Sequence, residues 1–321
     1  MKKMSILFLL IFTSFILTGC HTFAGSGNIQ NVGLLLDGSI DDNSWNKKGY
    51  EGLLQIEKQF RTNIFVKENM EAKEDIQRAV DELVQQGVNL IYGHSSIYGN
   101  IFEDIAKVYP DVHFVYFNGG IYDDNLTSLN FNSHAMGFFG GMIAGKMTRT
   151  DQVGIIAAFN WQPEIEGFYE GVKFENPAAV VQMDFVNSWE DKQRALEMYE
   201  VMKSKGVDIF YPAGDYFSAE ILQRAERDRL YAVGYVSDQM DVAPEAVLTS
   251  TIQNVDKLYE LSAELFHKGE LQGGILTFDF EDEVIELGEY NNKVPKTYQR
   301  YMNDIIKEYK KSKLLPNEYS E

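Results

Sequence analysis

The residues best suited to chemistry cluster in one loop. Residues 37–52 (DGSIDDNSWNKKGYEG) bring together Asp37, Asp41 and Asp42, the amides of Asn43 and Asn46, the indole of Trp45, and Lys47 and Lys48. Such a set can hydrogen-bond a polar ligand and offer a flat apolar face to a planar one. It can also be a solvated turn, with Trp45 packed on its own domain. A calcium loop is a third reading, but no glycine and terminal Glu fall in EF-hand register. A different chemistry is available at Cys20, the only cysteine. Leu17-Thr18-Gly19-Cys20 reads as a bacterial lipobox, in which the thiol takes a diacylglyceryl group and Cys20 becomes the new N-terminus. With one cysteine no intrachain disulfide forms. His94, His113 and His134 lie far apart and show no zinc spacing. No G-x-S-x-G elbow, P-loop or dinucleotide fingerprint occurs, so neither a cofactor nor a metal is expected.

The elements around these residues follow from periodicity. Lys2 and Lys3 precede an apolar stretch, residues 6–17, of about the length of a secretory h-region and short for a bilayer span. Residues 1–19 are therefore expected to be a lipoprotein signal peptide, and residues 20–28, small and polar, a tether. Beyond them, residues 32–36 (VGLLL) read as a buried strand that delivers Asp37 at its end. A helix over about 45–59 follows, with Ser44 or Asn43 as its cap. Strands at 64–66, 88–92 and 112–117 alternate with helices around 74–86 and 102–109. The order then repeats, with strands at 153–158, 180–186, 207–211 and 231–236 and helices at 164–175, 191–205 and 218–228. GVNLIY at 87–92 matches GVDIFY at 206–211, each a helix stop followed by a strand, which argues for duplication. The expected fold class is α/β, as two Rossmann-like lobes.

In open parallel sheets ligands bind beyond the carboxyl ends of the strands. Two facing lobes then enclose a cleft joined by a hinge. Its loops begin at Asp37, His94, Asn118, Phe159, Asp215 and Ser237. Trp161 follows a strand end and lines the cleft or packs; Trp189 is expected to pack. Gly137, Gly140 and Gly141, in the helix of Phe138, are expected to be close-packing positions at the crossover. Residues 278–286 (FDFEDEVIE) read as a solvated hairpin edge, and residues 296–311 as a helix flanking the second lobe. The chain has a net charge of −19, and loss of Lys2 and Lys3 makes it two units more negative. An acidic surface repels nucleic acid and anionic headgroups, so direct DNA contact is not expected.

Several stretches resemble the basic membrane protein family, the PnrA-like nucleoside-binding lipoproteins. They are Asp41-Asp42-Asn43-Ser44-Trp45-Asn46 with Gly49 and Gly52, residues 131–141 (FNSHAMGFFGG), Ser237-Asp238-Gln239, and VLTS at 247–250 with Val255-Asp256. GVNLIYGH at 87–94, WQPE at 161–164 and YPAGD at 211–215 are similar to a branch of regulators linked to genetic competence. The resemblance implies a type I periplasmic-binding-protein fold and a purine nucleoside ligand. It implies lobes at 29–130 with 252–276, and at 131–251 with 277–315, crossing near Asn130, Thr251 and Thr277. Trp45 would stack on one base face and Phe217 or Tyr216 on the other. Asp37 and the loop at His94 would address the base edge, and Asp238 the ribose hydroxyls. Asn46, Trp161, Asp215 and Gln253 complete the expected site. Two departures stand out. Gln253 lies in a stretch where the family carries a lysine, and His94 lies where it often carries an acid.

Three functions are compatible with these residues. One is a competence regulator on the extracytoplasmic face of the cell membrane, held there by its lipid and acting on a membrane partner. Another is the solute-binding component of a nucleoside ABC transporter, docking on a permease. A nucleoside-acting enzyme is the third, and no nucleophile–base pair supports it.

Overall fold

The computed structural model describes residues 27–41 and 44–319. Cys20, the expected signal peptide, Asp42 and Asn43 lie outside them. Among the described residues no helix is long and apolar enough to cross a membrane. Gly27 and Asn28, read above as the end of a flexible tether, are docked. Asn89 donates to the Asn28 carbonyl and accepts from the Gln30 N–H, both at 2.9 Å.

The first half of the chain comprises β1 (Asn31–Leu35), α1 (Ser44–Phe60), β2 (Asn63–Lys67), α2 (Lys73–Gln85), β3 (Leu90–Gly93), α3 (Tyr98–Ala106), β4 (His113–Phe117) and β5 (Leu126–Phe131). The second half comprises α4 (Ser133–Met147), β6 (Gln152–Ala157), α5 (Pro163–Glu175), β7 (Val180–Phe185), α6 (Lys192–Ser204), β8 (Ile209–Ala213), α7 (Ser218–Arg227), β9 (Tyr231–Gly234) and β10 (Val247–Gln253). After these come α8 (Val255–His267), β11 (Gly274–Phe278), β12 (Ile285–Leu287) and α9 (Lys296–Ser312).

The strands form two six-stranded sheets, ordered β2-β1-β3-β4-β5-β11 and β7-β6-β8-β9-β10-β12. All pairings are parallel except that of β10 with β12. Parallel strands are covered on both faces, which explains the unbroken apolar runs of β1, β4 and β6. The internal match is a structural repeat. Gly87 and Gly206 both end a helix at positive φ, 75° and 92°. The next residue then turns back, Val88 N–H to Leu83 C=O at 3.1 Å and Val207 N–H to Met202 C=O at 3.2 Å. Both matched strands, β3 and β8, pair with the first strand of their own sheet.

One sequence expectation fails. Residues 278–286 are not a hairpin, because β11 belongs to the first sheet and β12 to the second. The acidic run is a crossing, and Phe280 within it is buried. Main-chain crossings fall after Phe131, Gln253 and Phe278. Side chains tie them together: Gln253 Nε2 donates to Ser133 Oγ (3.2 Å), and Asn132 Nδ2 and the Tyr309 hydroxyl both donate to Asp279 (3.0 and 2.6 Å).

Helices α4 and α5 pack with backbone against backbone. A Cβ at Gly137 or Gly141 would strike the Glu164 or Phe168 carbonyl, and one at Gly167 or Gly171 the His134 or Phe138 carbonyl. Gly137 and Gly141, one turn apart, are thus close-packing positions as expected, whereas a Cβ at Gly140 would meet only the Thr251 and Phe168 side chains.

Candidate functional site

Trp45 and His94 form a stacked pair in the first lobe, at the start of α1 and just past β3. Their rings stack at 4.5 Å with 15° between planes. The indole Nε1–H donates to the His94 carbonyl (3.0 Å), and His94 Nε2 lies 2.8 Å from the Trp45 carbonyl. A carbonyl only accepts, so Nε2 carries the proton and Nδ1 accepts from the Tyr259 hydroxyl at 3.0 Å. Burial pushes the imidazole down to about 3, so His94 is neutral at pH 7 and reads as an uncharged plate. Phe117 and Phe131 meet the edges of Trp45, each at 6.2 Å. The paired glycines of α1 make room for this cluster. A Cβ at Gly49 would come within 2.6 Å of the His94 ring, and one at Gly52 within 2.7 Å of the Tyr259 ring.

The same residue touches the other lobe. The Trp45 backbone N–H donates to Asp215 Oδ2 at 3.2 Å. First-turn N–H groups of a helix lack intrahelical acceptors and favour negative charge. Helix α1 has no acidic residue in its first turn, and the loop after β8 in the other lobe supplies the carboxylate. Lys48, one turn further on, donates to the Gln253 carbonyl at 3.1 Å, beside a lobe crossing. Burial lowers its ammonium, while the charges of Asp256, Glu51 and Asp215 oppose the fall.

In the second lobe lies a buried polar cluster at the ends of β6, β8 and β9. Gln162 Nε2 donates to Glu164 Oε1 (2.9 Å) and to the Ala213 carbonyl (3.1 Å), and the Tyr235 hydroxyl also donates to Glu164 Oε1 (3.1 Å). Burial raises the Glu164 carboxyl above its ordinary range, against the hydrogen bonds it accepts. The sequence named Lys48 only as one member of the 37–52 loop and Glu164 only as the last residue of WQPE, and nothing in it pointed to Tyr259. Pro163-Glu164 read simply as a helix start, where acidic first-turn residues are common.

The remaining expected residues are dispersed. Asp37 lies two residues past the end of β1 and is half-buried, with its charge acting on the buried Tyr98 phenol. Asn46 is buried and donates to the Ser39 carbonyl at 3.3 Å, bracing the Asp37 loop from within. Asp238 is exposed but engaged inside its lobe, accepting from the Met240 and Glu289 N–H groups (both 3.1 Å) and from Ser250 Oγ (3.2 Å). Gln253 is buried between the crossings. Phe217, expected to stack on a base, is fully buried in the second lobe's own core, where its ring sits against Gly214. Trp161 is 59% exposed and stacks on Phe159 at 5.4 Å, with Trp189 edge-on at 6.0 Å. Trp45, His94 and Asp215 are thus joined by direct contacts, and Gln253 is joined to them through Lys48. Among the described residues no group of three or more His, Cys, Asp or Glu side chains is placed to hold a metal ion.

Two six-stranded, mainly parallel sheets with three crossings and a site at the strand ends define a type I periplasmic-binding-protein fold. Solved structures agree. An ABC transporter solute-binding protein from Conexibacter woesei superposes with a TM-score of 0.72 at 17% identity, covering 91% of this chain and all of that one. The family model described as ABC transporter substrate-binding protein PnrA-like matches residues 29–316, and the chain belongs to this Bmp family. Among its relatives, the transcriptional activator protein Med of Bacillus subtilis is 43% identical, over 94% of this chain and 95% of its own. The crystal structure of a transcriptional activator of the comK gene from Bacillus halodurans has a TM-score of 0.84 and 42% identity, covering 89% of this chain and 99% of that one. Basic membrane protein B of Borreliella afzelii is 27% identical over 86% of each chain.

Proposed function

We propose that this chain is a membrane-anchored regulator of the Med type, acting on competence and sensing a purine nucleoside in its interlobe cleft. It works by binding, not catalysis, with Cys20 carrying the lipid on the extracytoplasmic face. The 43% identity to one activator and 42% to another support the regulatory role. The observation that carries the sensing role is the junction at Trp45. One residue stacks on His94 in the first lobe and donates to Asp215 in the second. A planar base on the indole, with its ribose hydroxyls at Asp215, would change the contact that joins the lobes. Ligand occupancy is thereby coupled to lobe closure.

A second reading, the solute-binding component of a nucleoside ABC transporter, is favoured by the description of the matching family model. Deleting the gene in the bacterium that encodes it separates the two. The regulatory role predicts reduced competence-gene transcription with nucleoside uptake unchanged. Loss of uptake with transcription unchanged would transfer the assignment to transport.

A further inference from the structure

Helix α9 departs from the charge of the molecule around it. It carries five basic side chains against two acidic ones, in a chain with 29 Lys and Arg against 48 Asp and Glu. At 3.6 residues per turn, Lys296, Arg300, Lys307 and Lys311 fall within about 60° of one another around the helix. All four are exposed, and the opposite face buries Tyr298, Met302 and Tyr309. The stripe is about 22 Å long at 1.5 Å per residue. Among the described residues no carboxylate pairs with Lys296, Arg300 or Lys307, and Lys311 meets only Glu308 of its own helix, at 3.2 Å. Just past the helix end, Leu314 and Tyr319 are 44% and 45% exposed.

We propose that this face of α9 rests on an anionic lipid surface. Basic residues attract anionic headgroups, and neighbouring tyrosine and leucine side chains enter the headgroup boundary. Nucleic acid would use the basic stripe but gives no role to the exposed apolar groups. The acidic average of the chain, which implied repulsion from such headgroups, does not decide the matter. Charges beyond about 8 Å are largely screened at physiological ionic strength, so the stripe in contact dominates. The proposal rests on the membrane location inferred above. A lipid at Cys20 would hold the stripe near the bilayer, and the stripe would fix which side of the domain faces it.

Every described element lies beyond residue 27, so a chain beginning at His21 contains the whole folded unit and lacks the anchor. The test is sedimentation of this chain with phosphatidylglycerol-containing and pure phosphatidylcholine vesicles at physiological salt. Binding to the anionic vesicles alone is expected, weakened at least tenfold in a Lys296→Gln, Arg300→Gln, Lys307→Gln, Lys311→Gln variant. An equal number of Lys→Gln changes on other helices should leave it unchanged. Three results would overturn the proposal: no vesicle binding, equal binding by the stripe variant, or tighter binding of the stripe to duplex DNA. Salt-sensitive dimers lost in the variant would assign the stripe to a second copy and overturn it too. Failure of lipidation at Cys20, read by cell fractionation, would refute the anchor without altering the vesicle result.

Discussion

Burial sets the charge of His94, and the sign of its effect on stability follows. Its folded pKa is about 3 against an ordinary 6.5, so between these values the unfolded chain binds more protons than the native one. Stability therefore falls as pH drops below about 6.5, by up to ~1.4 kcal/mol per pH unit from this residue. His113, pushed down to about 4 by burial, adds to the same slope. Glu164 works the other way: burial raises its carboxyl in the folded state, so it binds its proton more tightly there than in the unfolded chain, and that contribution is lost as pH rises above 4.5. Urea titrations across pH should thus show a shallower acid slope in His94→Gln. Glu164→Gln should gain stability relative to the wild type as pH rises from 4.5 to 7, and a relative loss over that range would refute a raised carboxyl. Trp45, His94 and Asp215 were legible in the sequence because each follows a strand end, Trp45 in the first turn of the next helix and the other two in loops. Their mutual contacts were not, nor were the contact of Lys48 with Gln253 and the part played by Tyr259. These residues matter through burial beside distant parts of the chain, which leaves no local pattern.

Glycine spacing on the helices supplies the room that the site needs. In an open helix interior, Gly→Ala gains about 1 kcal/mol of helix propensity. At Gly49 the added Cβ meets the His94 ring at 2.6 Å, and overpacking of this kind costs about 1–3 kcal/mol. Gly49→Ala is therefore expected to lower the urea midpoint and shift the near-ultraviolet signal of the Trp45 cluster. The clash at Gly171 is with the Phe138 backbone carbonyl, which cannot rotate away as a side chain can. Gly171→Ala should cost more than Gly49→Ala, and a neutral result at Gly171 would contradict the α4–α5 contact. Apolar runs made most strands readable, since a parallel strand covered on both faces needs no polar alternation. Strand β5 escaped notice because Thr127, Ser128 and Asn130 interrupt its run. The 278–286 segment was misread because its acidic residues look solvated, while Phe280 is what anchors the crossing.

At the scale of the whole molecule, the lobes meet through the N-terminus of one helix and a carboxylate from the opposite loop. Replacing Asp215 by Asn keeps an acceptor but removes the charge that favours that helix end. Small-angle scattering of Asp215→Asn is expected to show a larger radius of gyration than the wild type, and an unchanged radius would mean that other contacts hold the lobes. The repeat of strand and helix order revealed the two-lobe plan, but the identity of the groups that bridge the lobes is a property of the closed arrangement alone. The most direct test of nucleoside sensing is calorimetric titration of the chain from His21, unfolded and refolded to strip any co-purified ligand, with a panel of purine nucleosides. The account predicts saturable binding that weakens at least tenfold in Trp45→Ala, in keeping with about 1–3 kcal/mol per stacked base. No heat with any nucleoside, from a chain shown to be folded, would contradict it and leave a binding fold used for regulation without this ligand.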